Sequence, residues 1–283
     1  MKVTFFGTGL MGSGFVRRMR ANGHQVNVWN RSAAKARALQ DVGATAFDDP
    51  AAALAGAERL HVSLADDASV DAVLEPLAAV IAPGTWIVDH TTTAVTPTAE
   101  RVARWHARGR SFVHAPVFMG PANALEGSGL MLLSCPQAQH DALLPALQQM
   151  TGKVVYLGEA PERAAAFKLF GNLTLIGIIG VLGDVNRLAA AVGISTQDAF
   201  SLFEHFNPGQ TLPARAARIV SADVTRPSFE LAMARKDVRL MIEEARRGGF
   251  ELPVTAGVAA LFDAALSRGE GALDVVAAAR IAT

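Results

Sequence analysis

The sequence predicts an α/β fold: a doubly wound, mostly parallel sheet in the N-terminal part, then an all-α C-terminal part entered by one long helix. Three observations predict it. Short apolar β runs alternate with helical stretches from the N-terminus to about residue 157. The first β run leads straight into a glycine-rich turn and a helical segment. Beyond Gly158-Glu-Ala-Pro161 the β runs stop, and only helical candidates follow. Strand and helix in strict alternation are the pattern of a parallel sheet with helices on both faces.

The expected strands are 2–6, 25–29, 59–64, 85–89, 111–114, 129–134 and 153–157. The expected helices between them are 10–22, 32–42, 49–55, 68–81, 96–108 and 137–149, with Thr96-Pro97 read as an N-cap and first turn. From residue 162 the helical candidates are 162–191, 196–204, 211–220, 228–247, 253–268 and 272–281, punctuated by Pro208, Pro213, Pro227 and Pro253. The expected division is a dinucleotide-binding domain over 1–160 and a helical substrate and dimerisation domain over 161–283.

The chain has 283 residues, enough for two domains with a sizeable core. It is 51% hydrophobic and 18% charged, too apolar for disorder. Its formal net charge is zero, so no attraction to nucleic acid or to a membrane surface is implied. Cys135 is the one cysteine, so no intrachain disulfide forms; that suits a reducing compartment, and a cytoplasmic location is expected. No Cys/His spacing suggests a metal site. The chain enters a β run almost at once, which is unlike a signal peptide. The longest apolar run, Leu169 to Gly183, is short for a membrane span and is interrupted by Asn172, Thr174 and glycines, so a buried helix is expected.

The glycine-rich turn carries the first chemical signal. Gly7, Gly9 and Gly12 form G-x-G-x-x-G directly after the first strand and at the start of a helix, the context of a Rossmann dinucleotide fingerprint. Gly7 permits the tight turn, Gly9 lets backbone approach a pyrophosphate, and Gly12 lets helix pack on strand, while the helix N-terminus offers N–H groups to phosphate. Gly7, Gly9, Leu10, Met11 and Gly12 are thus the first candidate cofactor contacts. The second strand ends in Asn30-Arg31-Ser32, where an NAD site usually has an acidic residue. With no carboxylate to repel a 2′-phosphate and Arg31 able to pair with it, beside donors on Asn30 and Ser32, NADP(H) is expected over NAD(H). Arg31 as a solvated residue and Ser32 as a helix cap are the plain alternatives.

Lys168 and Asn172 stand at i and i+4 on the long helix, so they share a face. A lysine leading into so apolar a helix would be desolvated, which lowers its pKa toward the range where proton exchange is useful. Snorkelling to solvent is the competing reading. Asp89-His90-Thr91-Thr92-Thr93 and Ala115-Pro116-Val117-Phe118-Met119-Gly120 each follow a strand, at the edge where open α/β sheets bind ligands; both also read as ordinary loops. Of the histidines singled out, His90, His106, His114 and His205, only His90 is expected near that edge.

Together these pieces resemble the β-hydroxyacid dehydrogenase family, which includes 3-hydroxyisobutyrate dehydrogenase and tartronate semialdehyde reductase. The family's G-x-G-x-M-G matches Gly7 to Gly12, its D-x-S-T matches Asp89 to Thr92, and its A-P-V-S-G-G matches Ala115 to Gly120. Its K-x-x-N-N matches Lys168 to Asn172, and its late K-D matches Lys236-Asp237. The resemblance implies Lys168 as general acid/base and Asn172 as a partner of the reacting oxygen. It implies Thr92 beside the nicotinamide, Gly120 offering N–H to a substrate carboxylate, Lys236 closing over the cofactor, and Leu64 near the adenosine ribose. The substrate would be a small acid, a β-hydroxy acid or its semialdehyde or keto partner.

Three departures stand out. Phe118-Met119 replaces the family's Ser-Gly, Gly171 replaces the first asparagine of its pair, and Glu162-Arg163-Ala-Ala-Ala-Phe167 replaces its glycine-rich approach to the lysine. Phe118, Met119, Gly120 and Thr92 are therefore the candidate substrate contacts. An imine reductase on the same fold and a non-catalytic NADPH-binding protein are the competing readings. Gly171, Gly177, Gly180 and Gly183 suggest close helix approach, and a homodimer or homotetramer is expected.

Overall fold

The computed structural model describes residues 1–221 and 223–281. Its contacts divide the chain into two compact units, Met1–Leu173 and Thr174–Thr283.

The first unit opens with β1 (Lys2–Phe6), α1 (Leu10–Ala21), β2 (Gln25–Trp29), α2 (Ala33–Arg37), β3 (Thr45–Ala46), α3 (Pro50–Ala53), β4 (Arg59–Val62), α4 (Asp67–Leu74), β5 (Trp86–Asp89), α5 (Val95–Ala107) and β6 (Ser111–His114). The strands form a six-stranded sheet in the order β3-β2-β1-β4-β5-β6, and every pairing is parallel. That order reverses direction at β1 and β4, the switch point where a doubly wound sheet opens a crevice at its C-terminal edge. Alternate side chains serve opposite faces. Val3 and Phe5 pack with Phe15, Val28 and Leu143, while Phe6 packs with Leu60, Leu74 and Trp105. Both faces are covered, so the strands read as continuous apolar runs instead of alternating ones.

Then come β7 (Val117–Phe118), α6 (Pro121–Glu126), β8 (Leu130–Leu133), α7 (Gln137–Leu147) and β9 (Lys153–Tyr156). The strands expected at 129–134 and 153–157 do not join the main sheet. They form a separate three-stranded sheet, β7-β8-β9, with β7 antiparallel to β8. Pro116 lies between β6 and β7; it has no N–H to give, and its carbonyl turns to accept from the Leu132 amide at 2.9 Å. The short elements β3, β7 and α6 leave no sequence signal, because two to six residues carry too little periodicity. α5 begins at Val95, so Thr96 is not its cap.

Arg101 on α5 is fully buried and bridges two carboxylates of α4: Nε donates to Asp71 at 2.7 Å and an Nη to Asp67 at 2.9 Å.

α8 (Arg163–Ala191) is one continuous helix of 29 residues. The division between units falls inside it, so Lys168 and Asn172 pack with the first unit. The expectation of a buried helix is corrected here: Leu175, Ile176, Ile179 and Val181 are each at least half exposed. The helix is long and apolar enough to cross a membrane by length and composition alone. The run is apolar, as the sequence says, but these side chains find no cover within the chain.

The second unit continues with α9 (Thr196–His205), α10 (Leu212–Ser221), α11 (Leu231–Arg247) and α12 (Pro253–Ser267), then a 3-10 turn at Val275–Ala279. An isolated bridge between Glu230 and Asp274 is its one β feature among the described residues. Asp184 of α8 accepts from the Thr255 amide at 2.7 Å and its hydroxyl at 2.9 Å, tying α8 to the start of α12. Asp274 is buried, and burial alone would raise its pKa. The Ser228 amide and hydroxyl, the Val276 amide and Arg218 outweigh this and hold it at about 2.

Candidate active site

The C-terminal strand edge is held level by register. Phe6, Val62, Asp89 and His114 are successive partners across β1, β4, β5 and β6. The loops that leave them are cross-tied: the Leu64 amide donates to Thr91 Oγ1 at 3.0 Å, and His90 Nδ1 meets Ala115 O at 2.7 Å. The glycine loop, Leu64 and Thr92 follow strand ends on this edge, while Phe118 is the last residue of β7 in the smaller sheet.

The glycine loop fits a pyrophosphate. Gly7 has φ +90°, and a Cβ there would lie 2.0 Å from Ser63 O. A Cβ on Gly12 would lie 1.9 Å from Gly7 O. Gly9 alone faces open space, with nothing within 4 Å of such an atom. Gly7 therefore makes the turn, Gly12 lets α1 pack against it, and Gly9 leaves backbone bare to a ligand. A cleft of about 900 Å³ opens there, lined by Gly7, Gly9, Leu10, Met11 and Gly12 and by Asn30, Arg31, Ser32 and Leu64.

Sequence reasoning missed Lys35, which also lines this cleft. Its spacing of four from Arg31 was the available signal. Asn30 lines the cleft and also braces it: its Oδ1 accepts the Thr8 amide at 3.1 Å, and its Nδ2 gives one of its two hydrogens to Ser32 O at 3.0 Å. Ser32 precedes α2 but makes no side-chain capping bond.

His90 does not face the cleft. It is buried against Phe5 and Phe15 and hydrogen-bonded to His61 Nδ1 through Nε2 at 2.9 Å. Burial lowers its pKa to about 4, so it is a neutral core group. Thr92 is exposed at the strand edge, whereas Thr91 and Thr93 are buried. Met119 is partly buried and packs against the core of the first unit. The Gly120 N–H, implied to meet a substrate carboxylate, donates instead to Asn123 Oδ1 at 2.9 Å.

Lys168 is half-buried, and its Nζ stands 4.2 Å from the centroid of the Phe118 ring. Burial lowers its pKa. Asn172 lies one turn on, on the same face of α8. Lys236 belongs to the second unit, where it pairs with Asp237 at 2.9 Å. Among the described residues no group of three or more His, Cys, Asp or Glu could hold a metal ion.

A dinucleotide cleft, a half-buried lysine against the Phe118 ring and an all-helical second unit are the parts of a known family. The description "NAD binding domain of 6-phosphogluconate dehydrogenase" matches residues 2–158. "NAD-binding of NADP-dependent 3-hydroxyisobutyrate dehydrogenase" matches residues 163–282. The chain belongs to the β-hydroxyacid dehydrogenase family. It is a nicotinamide-dependent dehydrogenase of the CH–OH class. It is 25% identical to the 3-sulfolactaldehyde reductase of Escherichia coli over 96% of this chain and 92% of that one. It is 30% identical to the cytokine-like nuclear factor N-PAC of Xenopus tropicalis over 85% of this chain, spanning 46% of that longer protein. In structure it resembles an imine reductase from Myxococcus stipitatus in complex with NADP+, with a TM-score of 0.93, 18% identity and 99% of both chains covered. That likeness speaks to the fold.

Proposed function

We propose that this member of the β-hydroxyacid dehydrogenase family moves a hydride between NADP(H) and a β-hydroxy acid or its semialdehyde or keto partner, with Lys168 as the general acid/base. The observation that carries this reading is the half-buried Lys168 beside Phe118, with Asn172 one turn on. Desolvation weakens its hold on the proton, so the ammonium serves as an acid to a carbonyl oxygen and the amine as a base to a hydroxyl. Asn172 donates from its amide to the same oxygen. When bound, the nicotinamide supplies or takes the hydride at the carbon. Thr92 meets it at the strand edge, and Lys236 contributes from the helical unit.

NADP(H) is favoured by Arg31 and Lys35, two cations on the cleft where NAD sites usually hold a carboxylate. The exposed apolar flank of α8 supports a homodimer, since such a face is rare on a monomer. A monomer mass by light scattering at micromolar concentration would remove that part. Imine reduction is the second reading. It is favoured by one observation: Phe118 supplies no hydroxyl to anchor a carboxylate.

The test is absorbance at 340 nm with hydroxy acids, semialdehydes and cyclic imines, each with NADP(H) and NAD(H). Turnover of the oxygen substrates with NADP(H) supports the reading; turnover of imines alone would replace it.

A further inference from the structure

Two of the departures from the family motifs meet in space. Phe118 on β7 stands where the family has serine, and Gly171 on α8 stands where it has asparagine. A Cβ built on Gly171 would lie 2.2 Å from Phe118 Cζ and 2.5 Å from Cε1. No residue but glycine fits under the ring as it sits. Glycine inside a long helix is a costly choice, so its presence needs a reason, and the ring supplies one. The same ring turns its face to Lys168, whose Nζ is 4.2 Å from the centroid.

We propose that Phe118 and Gly171 form one coupled device: Gly171 is the notch that seats the ring, and the seated ring positions the Lys168 ammonium and sets substrate choice. Phe118 is a positioning and specificity residue. The ring acts on the proton in two opposed ways. It excludes water, which disfavours the ammonium, and its negative face attracts the ammonium. It also presents an apolar wall where related enzymes present a hydroxyl. Among the acids proposed above, the site therefore favours those that bring an alkyl or aryl group to the ring and hold their carboxylate away from it. The positioning part of this rests on the acid/base reading of Lys168; the notch does not.

The experiment compares the wild type with F118S, F118L, G171A, G171N, F118S/G171A and F118S/G171N. Thermal unfolding reads the notch without any substrate. G171A in the wild type lowers Tm by several degrees because the ring must leave its seat. In the F118S background the same change raises Tm by about 2–4 °C, the ordinary gain of alanine over glycine in a helix. Additive Tm shifts would overturn the notch.

For positioning, F118L keeps the apolar surroundings and removes the aromatic face. The alkaline limb of kcat for carbonyl reduction then moves down by roughly half to one pH unit, the size of a cation–π contact. An unmoved limb would overturn the positioning role. For specificity, F118S/G171N lowers KM for acids without an alkyl or aryl group more than either single change does; equal or worse KM values would overturn that role. Coupled Tm values with no turnover in any protein would strike the acid/base reading and leave the notch. Turnover with additive Tm values would do the reverse.

Discussion

Asn30 Oδ1 accepts the Thr8 amide at 3.1 Å while its Nδ2 donates to Ser32 O at 3.0 Å. One side chain thus braces the glycine loop against the end of β2, the two walls of the cofactor cleft. Asn30→Ala leaves the buried-side Thr8 amide without its partner and loosens that brace. Affinity for NADPH and NADH is expected to fall by a similar factor, roughly three- to tenfold, for a lost hydrogen bond of about 1 kcal/mol. Fluorescence titration of both cofactors checks it, and a loss confined to NADPH would reassign Asn30 to the 2′-phosphate.

Arg31 and Lys35 give the opposite signature. Each faces the cleft as a cation, so each alanine variant is expected to weaken NADPH by about tenfold or more, the worth of a charge-assisted contact, and to leave NADH nearly unchanged. The ratio of the two dissociation constants is the measurement. Equal losses for both cofactors would mean that these cations do not select the phosphate.

Much of the first unit was legible because its signals are local. A run such as Val3-Thr-Phe-Phe followed by Gly7, Gly9 and Gly12 states strand, turn and phosphate loop within a dozen residues. What the sequence hid depends on contacts between distant residues. That Gly171 makes room for Phe118, that Gly120 spends its amide on Asn123, and that Met119 packs against the core are facts of packing, with no periodic trace. His90 looked like a cleft residue because it follows a strand; its ring is instead held in the core by Phe5, Phe15 and His61. The exposed flank of α8 is hidden for the same reason: an apolar helix announces burial but not what covers it.

The buried histidines make the fold acid-sensitive. Unfolded, an imidazole takes up a proton near pH 6.5; in the folded chain His90 does so only at about 4. Its folded pKa is depressed, so stability is full above about pH 6.5 and is lost as pH falls toward 4, because only the unfolded state gains the proton in that window. His61 and His114, also buried with lowered pKa values, act in the same direction. Urea unfolding across pH 4–7 is expected to show falling stability, with a shallower slope in His90→Gln. A flat profile would contradict this.

Arg101 is a structural cation with no part in the chemistry. It is fully buried, whereas its partners Asp67 and Asp71 keep some exposure. Arg101→Ala is expected to cost about 2–4 kcal/mol, from lost packing and two carboxylates deprived of their cation. Denaturant unfolding reads the loss, and unchanged NADPH affinity at low temperature separates it from the site.

The most direct measurement is steady-state reduction of a semialdehyde with NADPH by the wild type and by Lys168→Ala. A fall in kcat/KM of about a hundredfold or more, with NADPH affinity kept, is the expected result. A variant that turns over as fast as the wild type would contradict Lys168 as the acid/base.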